Sequence, residues 1–139
     1  MSTNTSGRAD LVSVLVLGVF GVFSFFIGLY ALLDTSSFHE DVARFEPYNR
    51  HLYHDIGAFV LGLGVVALLA IVWRNDALLA ALGGAAAGSA GHFISHVVDE
   101  DLGGRAADPW TFGVIAVITG AVFVWRLWAR YAGSGSMTR

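Results

Sequence analysis

Long apolar runs, rather than short alternations, organise this chain. The first runs from Leu11 to Leu33 without a charged side chain, and the second, from about Leu52 to Trp73, is uncharged after Asp55. The third, Ala77 to Val98, contains no Asp, Glu or Arg but holds His92 and His96. The fourth, Trp110 to Tyr131, is apolar until Arg126 and Arg130. A helix needs about 20 apolar residues to cross a hydrocarbon core of about 30 Å, and each run has that reach. Lipid offers no partner to backbone N–H and C=O groups, so each run is predicted to be helical. The expected fold is all-α, an integral-membrane four-helix bundle with spans at about 11–33, 52–73, 77–98 and 110–131. A disordered tail is expected at 1–10 and a flexible one at 132–139.

Polar residues between the runs supply helix signals. Asn49 and Asp76 are predicted caps for the second and third spans, and Asp108-Pro109 pairs a capping residue with proline at the first helical position. Only Arg74-Asn75-Asp76 separates the second and third spans, which predicts an antiparallel hairpin. Between the first two spans, Ser37-Phe38-His39-Glu40 reads as a capping box, and Phe38, Val42 and Phe45 fall at i, i+4, i+7. A short interfacial helix is expected there, in the first outer loop, ended by Pro47. His39 reads as a solvated loop residue.

Composition agrees with the membrane class. The chain is 55% apolar and 14% charged, against about 25% charged in an ordinary soluble domain. It has no cysteine, which excludes disulfides, thiolate metal sites and thiol catalysis. All the basic residues are arginine and none cluster, so no nucleic-acid partner is expected. Arg8, Arg74, Arg126, Arg130 and Arg139 lie at one end of a four-span topology, and Arg44, Arg50 and Arg105 at the other. That bias predicts both termini in the cytoplasm and residence in the cytoplasmic membrane. Arg126 and Arg130 are expected to snorkel to the interface beside an aromatic belt of Trp125, Trp128 and Tyr131.

The other end gathers the chemistry, with all five histidines and every carboxylate except Asp10 and Asp76. The second span opens with His51, His54 and Asp55, and the third closes with His92, His96 and Asp99. Steps of three and four residues keep each set on one helix face. In a regular hairpin, His54 is level with His96 and His51 with Asp99. If the two faces turn toward each other, four imidazoles and two carboxylates converge. Such donors suit a transition-metal ion, Zn, Fe or Cu, with Asp55, Asp99 or Ser95 orienting the rings. Two other readings stand beside this one: a network of His–Asp hydrogen bonds joining helices, and a proton relay. Gly84, Gly88, His92 and His96 form one i+4 row, and Gly84-x-x-x-Gly88 is a close-packing signature. The row is either a packing face or a narrow apolar cavity beneath the histidines.

The segment Asn49-x-His51-Leu52-x-x-Asp55-Ile56-Gly57-Ala58, followed by His92-x-x-x-His96-x-x-Asp99, resembles small bacterial four-helix membrane proteins of a DoxX-like kind. That resemblance implies a four-span bundle and, because some such proteins accompany quinone-linked oxidoreductases, redox chemistry. It assigns no catalytic residue, and fold likeness supplies no function by itself. The function expected from the residues is a His/Asp metal site at the outer end, serving oxidoreductase or hydrolytic chemistry on a small or lipidic substrate. The alternatives are a non-catalytic assembly protein packing through glycine faces, as a homo-oligomer or with another membrane protein, and a proton-coupled carrier.

Overall fold

The computed structural model describes residues 3–98, 102 and 105–134. Among these described residues five helices follow in order: α1 (Thr3–Leu33), α2 (Thr35–Asp41), α3 (Arg50–Trp73), α4 (Asp76–Val98) and α5 (Asp108–Ser134). Four of them, all but α2, are long and apolar enough to cross a membrane. Their outward faces carry the bulky apolar side chains, among them Val19, Phe59, Val72, Trp110 and Val117, each at least 70% exposed. The interior is built largely from small residues, including Ser13, Gly57, Gly64, Ala67, Ala85 and Ser89. In water so large an apolar surface is untenable; in lipid, small residues inside and large ones outside are what helix packing requires.

Which helices pair is decided by glycine. Gly21 and Gly28 on α1, and Gly57 and Gly64 on α3, repeat at seven residues, so each pair holds one face. At Gly28 a Cβ would sit 2.4 Å from the Leu61 nitrogen and 2.8 Å from the Gly57 carbonyl oxygen; at Gly64 it would sit 2.5 Å from the Phe25 nitrogen. The two backbones therefore touch, and the pairing of low α1 numbers with high α3 numbers makes them antiparallel. The second close pair is α4 with α5, where Phe123 lies on Gly83 and Phe93 on Gly113. α1 also packs on α5. The sequential neighbours α3 and α4 touch much less, and an apolar groove separates them along their half nearest the 74–76 turn. Both Arg74 (φ 59°) and Asn75 (φ 50°) take a positive φ where the chain reverses.

Local signals were mostly well placed. Asn49 caps α3, its side chain accepting from the Leu52 N–H at 3.1 Å. α2 is present but its cap is Asp34, three residues before the expected Ser37. The Asp34 carboxylate accepts from the Ser37 N–H and the Ser36 hydroxyl. The Ser37 N–H, followed by the Ser37 and Ser36 hydroxyls, holds this carboxyl below the usual carboxylate range. Ser37 thus provides the donor rather than the cap, and α2 starts and stops earlier than expected. Asp108 opens α5 but turns back, accepting from the Arg105 N–H at 2.8 Å. α1 begins at Thr3, ahead of the apolar run, because Ala9 is buried and Asp10 has a partner on α5. α5 continues to Ser134, and 135–139 of the expected flexible tail lie outside the described residues.

That partner corrects a second expectation. Arg126 does not snorkel outward. It is 8% exposed, donates to Asp10, and reaches the Asn75 carbonyl oxygen at 3.3 Å. One turn on, Arg130 pairs with Asp76. The two carboxylates absent from the histidine end are therefore both matched by arginines of α5, and Arg126 ties α1, α5 and the 74–76 turn together. Trp128 and Tyr131 are exposed, as a belt requires.

Candidate functional site

At the end opposite the chain termini, α4 presents its imidazoles as a pair. His92 Nε2 and His96 Nε2 are 3.1 Å apart, one turn along the helix. Both rings stack on Phe112 of α5, with centroids 3.9 and 4.6 Å away and interplanar angles of 24° and 20°. Phe45, from the chain after α2, approaches His96 at 6.0 Å. The aromatic floor fixes both rings, which leaves the two facing nitrogens little freedom to separate. One Nε2 must donate and the other accept, or both lone pairs must share a third atom. The Ser95 hydroxyl donates to the His92 carbonyl oxygen and so does not orient either ring.

The other half of the expected cluster goes elsewhere. His51 and Asp55 face each other at 3.5 Å, but their side chains are 86% and 53% exposed. His54 is half-buried. Asp99 lies outside the described residues. Among the described residues no three His, Asp or Glu side chains form a group able to hold a metal ion, so the four-imidazole convergence is not found. The cause is helix rotation. α3 commits its Tyr53, Gly57 and Gly64 face to α1, and at about 100° per residue His51 and Asp55 lie nearly opposite Tyr53.

A second polar cluster was not anticipated, and His39 is its centre. Rather than being solvated, its side chain is 13% exposed. Its Nδ1 lies 2.7 Å from the Tyr53 hydroxyl and 3.2 Å from the Ala43 carbonyl oxygen, and its Nε2 lies 3.3 Å from Glu46 Oε1. Tyr53, buried at 3%, also donates to the Ala43 oxygen at 2.7 Å. The Tyr48 ring stacks on Tyr53, and its hydroxyl meets Thr35 Oγ1 at 2.6 Å. Arg105, just before α5, donates to the Asp41 carbonyl oxygen. These bonds fasten α2 and the segment after it across the ends of α1 and α3. The legible signal was Tyr53 in row with Gly57; nothing in the sequence pairs it with His39.

The cluster is structural by this accounting, and it makes a prediction. Tyr53→Phe removes one hydroxyl and leaves His39 Nδ1 and the Ala43 oxygen without it. The two keep each other at 3.2 Å, so the cost is that of a lost hydrogen bond, about 0.5–1.5 kcal/mol. Amide exchange across residues 35–48 is expected to quicken, while α4 and α5 keep their protection. Unchanged exchange in that segment would show that the network does not hold it down.

Comparison of the chain with protein-family models, with curated proteins and with solved structures found no match.

Proposed function

We propose that this is a multi-pass protein of the cytoplasmic membrane, with both termini inside, whose chemical centre is the His92/His96 pair acting as a two-imidazole chelate for a transition-metal ion. The observation that carries this reading is the 3.1 Å separation of the two Nε2 atoms above Phe112. With metal–nitrogen bonds of about 2.0–2.1 Å, that separation subtends about 100° at an ion, between a square-planar and a tetrahedral angle. Two protein ligands leave the remaining coordination positions to water, to Asp99 or to a substrate. An open position is the condition for hydrolytic or redox chemistry on a small or lipidic molecule. Zn, Fe and Cu all accept imidazole, and the geometry suits each.

Elemental analysis after purification without chelators tests the proposal. Stoichiometric metal is expected in the unmodified protein, falling to background in His92→Ala and in His96→Ala, while His51→Ala retains it. Metal-free protein that also fails to take up added Zn(II) or Cu(II) would refute it.

A second reading is favoured by one observation. Gly84, Gly88 and Gly91 on α4 meet nothing within 4 Å of a Cβ position. A membrane protein that packs a partner's helix against this face would be a non-catalytic assembly factor, and Gly88→Leu would then abolish the complex without touching the histidines.

A further inference from the structure

We propose that the groove between α3 and α4 holds one acyl chain of an anionic phospholipid, with the phosphate taken by Arg74. The inference rests on the membrane-spanning reading alone and is independent of the histidine pair. The groove has a volume of about 280 Å³ between Leu63, Val66 and Trp73 of α3 and Ala77, Ala81 and Gly84 of α4. The α4 wall is too small to fill the space, and a Cβ added at Gly84 would meet nothing within 4 Å.

The shape limits the occupant. From Leu63 to Trp73 the groove follows ten residues of helix, about 15 Å at 1.5 Å per residue, and it is open to the surroundings rather than enclosed. An elongated trough lined only by apolar side chains and glycine suits an acyl chain lying along the helices.

The charges select the headgroup. Among the described residues, six charged side chains mark the end of the molecule where the groove terminates: Arg8, Asp10, Arg74, Asp76, Arg126 and Arg130. Arg126 is engaged with Asp10 and Arg130 with Asp76. Arg8 and Arg74 are exposed, and among the described residues no ion pair engages either. Arg74 directly follows the groove-lining Trp73 and stands three residues before the groove-lining Ala77. Arg74 thus adjoins the end of an apolar groove, exposed and with no ion pair among the described residues, where it is available to a lipid phosphate.

Trp73 provides the reporter. With Trp110, Trp125 and Trp128 replaced by Phe, the protein is reconstituted in phosphatidylcholine vesicles doped at equal mole fraction with phosphatidylglycerol or phosphatidylcholine brominated high on the chain. One basic residue at a membrane surface favours anionic lipid by about five-fold, so brominated phosphatidylglycerol is expected to quench Trp73 with about that advantage. Arg74→Gln should remove the advantage, and Ala81→Leu should lower quenching by both lipids. Equal quenching by the two lipids in the protein that retains Arg74 would overturn the headgroup assignment, as would an advantage that survives Arg74→Gln. Quenching by neither, with Ala80→Cys chains cross-linking to one another, would overturn the proposal in favour of a second copy. Loss of metal binding at His92 and His96 would leave every one of these readouts unchanged.

Discussion

Gly28→Ala is expected to weaken the fold more than any other single methyl addition in the chain, with Gly64→Ala close behind. A Cβ at position 28 would lie 2.4 Å from the Leu61 nitrogen and 2.8 Å from the Leu61 Cα, and one at position 64 would lie 2.5 Å from the Phe25 nitrogen and 2.9 Å from the Phe25 Cα. The obstruction is helix backbone in both cases, so no rotamer change relieves it, and α1 and α3 must move apart along the whole contact. Overpacking a core costs about 1–3 kcal/mol where side chains can shift, and this site has the least room to shift, so a loss of about 3 kcal/mol is expected. In lipid the loss is not offset by hydrophobic collapse, because the tails outside are as apolar as the interior. Gly62, Gly84 and Gly88 are internal controls: each is helical, and a Cβ there meets nothing within 4 Å. Alanine at these positions should be neutral, or stabilising by up to about 1 kcal/mol through helix propensity. Unfolding followed by circular dichroism in mixed micelles measures both groups, and equal destabilisation by Gly28→Ala and Gly84→Ala would refute the α1–α3 contact.

The spans, their order and the tight turn at 74–76 were readable from the sequence because each depends on local features. Run length fixes a membrane helix, and Asn49 needs only the next turn of its own helix to cap it. Rotation about each helix axis is a property of pairs, and the polar residues of α3 pointed to the wrong partner. His51, His54 and Asp55 looked like an inward face because in water a polar cluster on an apolar helix demands a reason. At the end of a membrane helix they meet solvent and headgroups instead. The signal that governs rotation was present in Gly21, Gly28, Gly57 and Gly64, four small residues at matching seven-residue spacing, because in lipid the closest backbone approach selects the interface.

The candidate site divides along the same line. The His92–His96 contact was legible as an i, i+4 pair, since both rings belong to one helix. Phe112 was not, because it enters from α5 and nothing in its neighbourhood marks it apart from other apolar residues of that span. His39 was misjudged for a related reason: a histidine in a polar loop reads as solvated until Tyr53, fourteen residues on, is seen to cover it. Arg126 likewise read as a snorkelling residue because its level relative to Asp10, on the neighbouring helix α1, depends on how α1 and α5 are offset.

For Arg126 that offset predicts an asymmetry. Asp10→Leu is expected to destabilise by about 2 kcal/mol. It strands a guanidinium whose side chain is 10% exposed and which keeps only a hydrogen bond to the Asn75 carbonyl oxygen among the described residues. Fully buried pairs lose about 3–5 kcal/mol on such a deletion, and the 50% exposure of Asp10 justifies a smaller figure here. Arg126→Leu should cost less, because the carboxylate left behind already reaches water and needs no further compensation. The double variant Asp10→Leu, Arg126→Leu removes both charges and fills the space with hydrocarbon-like surface, so it should recover most of what Asp10→Leu loses. The cycle isolates the pair because Arg130 and Asp76, the neighbouring ion pair, are left in place. If the two single variants lose the same amount and the double variant loses their sum, Arg126 and Asp10 act independently and the buried guanidinium does not join α1 to α5. If the double variant is nearly as stable as the unmodified protein, the pair sets which helices meet at the termini end and adds little to how tightly they are held.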